Sequence, residues 1–205
     1  MTGRNSHSQQ IRLFHSEWLE KLTMISAAGF AGLWCFALPL IAWTGWGSVS
    51  LVLGICLFAA GLLGWTLFEY AMHRFLFHLK WRVPLAEKFV FVMHGNHHAA
   101  PNDPMRNLMP PIVSLPIAAA MWVGCVMLAG MAGTWVFLGY ITGYVAYDLL
   151  HFACHQWPMK GPIGLMLKRH HMRHHHTDQE GNYAILGIFW DRLFGTQIDG
   201  VKQQG

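Results

Sequence analysis

Almost no charge falls within four long stretches of this chain, and that limits its fold more than any motif does. Met24–Trp43 and Val49–Phe68 each run for twenty residues without a charged side chain, enough as helix to cross the roughly 30 Å hydrocarbon layer of a bilayer. Leu108–Gly133 and Thr134–Leu150 follow; the last holds only Asp148, near its end, and passes directly into His151. One apolar helix can hide in a soluble core. Four of them in 205 residues, of which 12% are charged against roughly a quarter in soluble domains, predict a membrane-embedded protein. Met24–Trp43 is too long for a removed signal peptide and lacks its cleavage pattern, so it reads as a retained helix.

The connections set the topology. Thr44–Ser48 separates the first two runs and the turn Gly130–Thr134 the second two. The expected fold is therefore all-α: an integral membrane protein with four transmembrane helices in two tight hairpins. All fourteen basic residues then share one face. Arg4, Arg12 and Lys21 precede the first helix; Arg74, Lys80, Arg82, Lys88 and Arg106 lie between the hairpins; Lys160, Lys168, Arg169, Arg173, Arg192 and Lys202 follow the fourth. The positive-inside rule places this face in the cytosol, with the N-terminus, the C-terminus and a histidine-rich helical cap. The net charge of +4 thus reads as orientation, and no basic run with interleaved aromatics points to nucleic acid.

A single domain over 1–205 is expected: an interfacial segment 1–23, hairpins and a histidine-bearing loop over 24–155, and a cytosolic cap over 156–205. Ile11, Phe14, Trp18 and Leu22 stand at helical spacing in the first part, as in a helix lying in a membrane surface. The cysteines, Cys35, Cys56, Cys125 and Cys154, form no CxxC pair and read as small apolar residues.

Histidine is over-supplied. Of fourteen, twelve fall in four groups on the basic face: His73 and His78; His94, His97 and His98; His151 and His155; and His170, His171, His174, His175 and His176. The last group is internal and interrupted by Met172 and Arg173, unlike a tag. It repeats the HxxHH spacing of HGNHH at His94–His98. Positions i, i+3 and i+4 share a helical face, so each HxxHH is expected to present three imidazoles to one point. His151 and His155 do the same. His73 and His78 diverge by roughly 140° on a regular helix, so either the helix distorts there or the two serve different metals. Each hairpin supplies one pair and one triple, five ligands a side, which suits two metal ions; imidazole alone does not name the metal. Glu69 and Asp148 each precede a histidine by one turn and are expected to accept its second ring N–H, fixing the tautomer. The alternative is an ion pair with a neighbour such as Arg74.

EYAMHRFLFH (69–78), HGNHHAAPNDPMRNLMPP (94–111), YDLLHFACH (147–155), HHMRHH (170–175) and FWDRLFGT (189–196) together resemble the fatty acid hydroxylase/sterol desaturase superfamily, and within it the fatty acid 2-hydroxylases. The resemblance runs from about Trp65 to Thr196. It implies a non-haem di-iron centre held by His73, His78, His94, His97, His98, His151, His155, His171, His174 and His175, with zinc able to substitute. His170 and His176 are left over, the latter where the family has an aromatic or apolar residue. Without the N-terminal cytochrome b5 domain of many eukaryotic members, electrons are expected from a separate protein, cytochrome b5-like or a ferredoxin.

A ferrous pair in an all-imidazole site can reduce O₂ and attack an unactivated C–H bond, which a hydrolytic zinc site cannot do. The resemblance thus implies an O₂-dependent monooxygenase that hydroxylates carbon 2 of a lipid acyl chain, with Tyr147, Asn182 and Tyr183 as candidate substrate contacts. A carotenoid or sterol hydroxylase, or a desaturase, of the same superfamily is the alternative. A non-catalytic metal binder or transporter is disfavoured, because the histidines gather at one face and no charged residue lies in mid-helix.

Overall fold

A computed structural model describes residues 11–177 and 180–198 of the chain; Arg4 and Lys202 of the basic face, and the two ends of the expected domain, lie outside them. Every regular element among the described residues is helical. Three stretches are long and apolar enough to cross a membrane: Ala27–Gly45, Leu51–Phe77 and Pro111–Gln156. The first is helix α2, preceded by the short α1 (Glu17–Leu22). The second is α3 (Leu51–Met72) with a π-helical extension. The third breaks at Gly130–Ala132 into α6 (Pro111–Ala129) and α7 (Gly133–Gln156). Gly130 adopts φ +59° there, a left-handed conformation open to glycine.

Local chemistry marks the helix starts. Ser26 and Ser50 cap α2 and α3, their hydroxyls accepting from the amides of Gly29 (3.1 Å) and Leu53 (3.4 Å). Pro84, Pro111 and Pro162 occupy the first turns of α4 (Pro84–Val90), α6 and α8 (Gly161–His176), where no intrahelical N–H is needed.

Helix α7 is the axis. Phe137, Leu138, Ile141, Tyr144, Val145 and Phe152 are buried along it, against Phe30, Trp34 and Ile41 of α2, Trp65 of α3 and Ala118 of α6. The α3–α7 crossing is the closest. A Cβ on Gly61 would overlap the Val136 carbonyl, and one on Gly139 the Phe58 carbonyl, so small residues admit the approach that drives helix association in lipid. The outward faces stay apolar: Phe36 is 83% exposed and Leu128 90%, as expected where lipid is the solvent.

Internal hydrogen bonds anchor the N-terminal segment. Glu20 is buried, its Oε2 accepts from the amides of Leu13 (3.1 Å) and Phe14 (2.9 Å), and its Oε1 pairs with Arg106. Burial raises the Glu20 pKa, but the Phe14 amide, the Arg106 charge and the Leu13 amide outweigh it and hold the carboxyl below its ordinary value. Such a carboxylate stabilises the fold above its unfolded pKa, and that contribution is lost as pH falls through the depressed value. We expect Glu20→Gln to lower stability by about 3 kcal/mol at neutral pH, since it leaves Arg106 buried beside a neutral partner. Thermal unfolding of both forms in detergent checks this, and their difference should shrink as the pH is taken below about 4.

Candidate metal centre

The chain leaves α3 without straightening. From His73 to Phe77 the helix widens to π geometry, and the His78 amide donates to the His73 carbonyl five residues back, at 3.2 Å. A bond of that span places residues five apart on one side, so the rings of His73 and His78 stand 4.9 Å apart and belong to one group. Of the two outcomes left open by the spacing, the helix distorts. A second π turn, Phe91–Gly95, carries His94 into the four-residue α5 (Asn96–Ala99), which holds His97 and His98. His151 and His155 lie in the last turns of α7, and the final triple on α8.

Ten imidazoles gather in two sets of five. His73, His78, His94, His98 and His174 form one; His97, His151, His155, His171 and His175 form the other; within each set the ligand atoms all lie within 4.8 Å of one another. The sets are not divided by hairpin, as the expected five a side would have it. In each HxxHH the i and i+4 histidines join their own half while the i+3 histidine, His97 or His174, crosses to the other. Neighbouring positions on a helix are about 100° apart, so i+3 and i+4 flank i on opposite sides. Three imidazoles on one broad face thus serve two points, not one.

Ring orientation makes these sets suitable for metal. His73 Nδ1 meets the Tyr183 carbonyl at 2.5 Å and His174 Nδ1 the Gly181 carbonyl at 2.8 Å. A carbonyl only accepts, so both Nδ1 atoms carry the proton and both Nε2 lone pairs are bare. His97 Nδ1 lies 3.3 Å from Asn107 Oδ1, whose amide nitrogen is spent on the Pro101 carbonyl; the same tautomer follows. The Nε2 atoms converge: His94 is 3.1 Å from His73 and 2.8 Å from His98, and His97 is 2.8 Å from His151 and 3.1 Å from His175. Ligands on bonds of 2.0–2.1 Å at right angles stand about 3 Å apart. Buried His78 Nε2 has no hydrogen-bond partner, which a metal would supply. The set fits metal ions.

Burial also keeps the rings uncharged, as ligands must be. It pushes His78 down to about 4; with the neighbouring His174 and His78 it pushes His98 down to about 3; and it pulls His174 to about 4 against the Gly181 carbonyl. Burial and surrounding imidazoles likewise hold His94, His97 and His171 well below the ordinary value.

Glu69 and Asp148 depart from expectation. Glu69 Oε1 accepts from the amides of Ile185 (2.5 Å) and Leu186 (3.1 Å); Asp148 Oδ2 accepts from the Met109 amide (2.9 Å) and the Tyr144 hydroxyl (3.2 Å). These hydrogen bonds go to no histidine and, for Glu69, not to Arg74, which donates to Tyr70 instead (2.7 Å). The amides that they hold lie outside the helices and have no ladder partner of their own, a need that a buried carboxyl can meet. The tautomers of His73, His174 and His97 are fixed by backbone carbonyls and Asn107.

Asn182, a candidate substrate contact in the sequence, spends its side chain on the backbone. It is fully buried at φ +54°, its amide donating to the His170 carbonyl (2.9 Å) and its oxygen accepting from the Ile198 amide (2.7 Å). Tyr183 packs its ring over His73, His78 and His174. Tyr147 lies on His151, rings 6.0 Å apart and nearly parallel, and lines two abutting cavities. The larger, about 170 Å³, runs between α3, α6 and α7, walled by residues such as Trp65, Phe68, Ile117 and Tyr140. The smaller, about 80 Å³, is walled by His94, His97 and His151; Phe77, Met93, Met109 and Tyr147 belong to both.

Asp191 went unnoticed in the sequence beyond its place in FWDRLFGT. It is fully buried and takes the amides of Tyr183 and Ala184 (both 2.9 Å), the Thr196 hydroxyl (2.7 Å) and His170 Nε2 (3.1 Å). It thereby shapes the loop whose carbonyls orient His73 and His174. The two spare histidines separate: His170 is bound to Asp191, and His176 is exposed. We expect His175→Ala to lower metal content and His176→Phe to leave it unchanged, as read by elemental analysis of the purified variants.

A family model for fatty acid hydroxylase matches residues 58–196. A dihydroceramide fatty acyl 2-hydroxylase of Arabidopsis thaliana is 34% identical over 93% of this chain and 81% of its own length. A ceramide very long chain fatty acid hydroxylase of Schizosaccharomyces pombe is 42% identical over 74% of this chain, and the human fatty acid 2-hydroxylase 34% over 92%. The chain spans about half the length of these last two, 45% and 57%. The solved structure of full-length scs7p, in which only the hydroxylase domain is visible, superposes with a TM-score of 0.83 at 29% identity, covering 91% of this chain and 72% of that one. The chain belongs to the fatty acid hydroxylase family.

Proposed function

We propose that this protein hydroxylates carbon 2 of a fatty acyl chain in a membrane lipid, with O₂ as oxidant and two iron ions held by the ten histidines, zinc being able to replace them. The observation that carries this reading is the juxtaposition of two sets of five neutral imidazoles with an apolar cavity of about 170 Å³. Relatives named as a dihydroceramide fatty acyl 2-hydroxylase and a ceramide very long chain fatty acid hydroxylase support the same reaction and an amide-linked acyl group as substrate.

Iron held in the two sets would supply O₂ activation and insertion of one oxygen atom into an unactivated C–H bond. The chain's own residues do the rest. Trp65, Phe68, Ile117 and Tyr140 shed water from the acyl chain. Tyr147, packed on His151 at the junction of the cavities, directs the end of that chain toward His94, His97 and His151. Fixing one carbon there supplies regioselectivity by orientation. The proposed setting is one domain with four crossings in two hairpins and the histidine cap in the cytosol, since the described basic residues precede α2, join α3 to α6 or follow α7. Electrons arrive from a separate cytochrome b5-like protein or ferredoxin.

Two tests follow. Elemental analysis of iron-supplemented protein should give two metal ions per chain, and one or none would count against the centre. Expressed with an electron donor under ¹⁸O₂, the protein should yield 2-hydroxy acids carrying one labelled oxygen after lipid hydrolysis. Loss of two hydrogens without label, or a hydroxylated sterol or carotenoid, would sink the reading.

A further inference from the structure

Helix α8 has a second face. His171, His174 and His175 occupy one side of it, while Pro162, Met166, Arg169 and Arg173, spaced four, three and four apart, share the other. That face meets the short helix α9 (Phe189–Leu193) across a cleft of about 260 Å³, to which α9 brings Arg192. Three arginines thus border one hollow. Among the described residues no carboxyl group lines it, and none of the three arginines takes part in an ion pair. Asp191, the neighbouring acid, does not answer them: its oxygens are spent on the Tyr183 and Ala184 amides, the Thr196 hydroxyl and His170. Arg192 Nε donates to Gln197 Oε1 (2.7 Å) and Arg173 Nη1 to the Ile198 carbonyl (3.3 Å), both neutral acceptors. A guanidinium carries five N–H donors and stays charged, so most of this donor capacity is unspent and the three charges lack a counter-charge.

The level of the cleft is set by α9. Trp190 Nε1 donates to the Thr66 hydroxyl (3.1 Å), and Thr66 belongs to the apolar span Leu51–Phe77. Helix α9 therefore lies against the side of a helix long enough to cross a membrane, with Phe189 and Leu193 turned outward, 49% and 67% exposed. Ile163 and Met166, at the start of α8, are exposed as well. Apolar side chains beside cationic ones, on short helices at the end of a span, suit the boundary between hydrocarbon and headgroups. Anionic headgroups of that layer attract basic pockets, and the planar fork of arginine matches the oxygens of phosphate. A carboxylate-rich protein would meet the same charge, but the apolar flanks and the level of α9 favour lipid.

We propose that Arg169, Arg173 and Arg192 form a binding site for the phosphate group of a membrane lipid, with Met166 and Ile188 as the apolar side of the same cleft. The site shares no lining residue with the two cavities beside the histidines, so it stands whether or not the acyl 2-hydroxylase reading does. Its ligand braces α8 from the face opposite the metal centre, and ties the cap to the bilayer by charge as well as by apolar contact.

Titration calorimetry of the purified, metal-loaded chain in a neutral detergent tests this. Dioctanoyl phosphatidic acid should bind once per chain, dioctanoylglycerol, which has the same chains and no phosphate, should show no saturable binding, and inorganic phosphate should bind more weakly than the lipid. Arg169→Gln and Arg192→Gln should each weaken phosphatidic acid binding by roughly tenfold, the worth of one charge-assisted hydrogen bond, with metal content unchanged. Lys160→Gln removes an exposed cation at the same end of α8 that lies outside the cleft, and should leave the affinity as it was. An equal loss in the Lys160 variant would reduce the effect to diffuse attraction and overturn the site, as would arginine variants that bind normally. Inorganic phosphate binding as tightly as the lipid would overturn the lipid assignment in favour of a soluble anion. Hexaglutamate binding more tightly than phosphatidic acid would give the cleft to an acidic protein instead. Should the arginine variants fail to fold, the wild-type comparison decides: equal binding of phosphatidic acid and dioctanoylglycerol would refute phosphate recognition.

Discussion

An imidazole serves a metal only when it is uncharged and its lone pair faces inward, and the cap of this protein is built around meeting both conditions. Burial supplies the first by making protonation costly at His94, His97 and His171. The second depends on acceptors placed behind the rings, the carbonyls of Tyr183 and Gly181 and the amide oxygen of Asn107. Those acceptors belong to loops, and loops hold a shape only when their own amides are satisfied. Hence buried carboxyls sit one layer further out: Asp191 gathers the Tyr183 and Ala184 amides, and Glu69 the next two. Order passes from carboxyl to loop to ring.

The membrane helices carry this layer from below. Helix α7 is buried along most of its length and delivers His151 and His155 from a packed stem, while α3 delivers His73 and His78 through a local widening. A π turn is costly where it serves nothing. Here it brings two rings together that a regular helix would turn apart, and the closely crossed α3 and α7 fix the bases from which both pairs project.

Much of this was legible in the residues. Uncharged runs of twenty gave the long helices, because hydrocarbon excludes charge regardless of tertiary detail. Histidines at i, i+3 and i+4 gave the elements of the centre, while the five-residue gap between His73 and His78 left open whether the helix distorts or the two serve different metals. The crossing of His97 and His174 was hidden, since spacing fixes directions around one helix but not which neighbour stands at each side. Glu69 and Asp148 misled for a related reason: they share a helical face with a ligand, yet their oxygens reach amides more than a hundred positions away for Glu69 and about forty for Asp148. Asp191 and Asn182 could not be weighed without the loops they organise, for their partners are mostly main-chain groups that any sequence would offer.

The exchange of His97 and His174 also bears on how the protein is made. As the chain emerges from N- to C-terminus, His73, His78, His94 and His98 are present long before α8, yet their fifth companion comes from α8 itself. The other set holds only His97, His151 and His155 until the same helix arrives. Neither set is complete while α8 is missing, so translation of that one helix closes both at once. A chain interrupted before His171 would carry seven of the ten imidazoles and no finished set. Completion of both sets is thereby tied to the translation of α8, and the two halves of the protein mature as a unit rather than in turn.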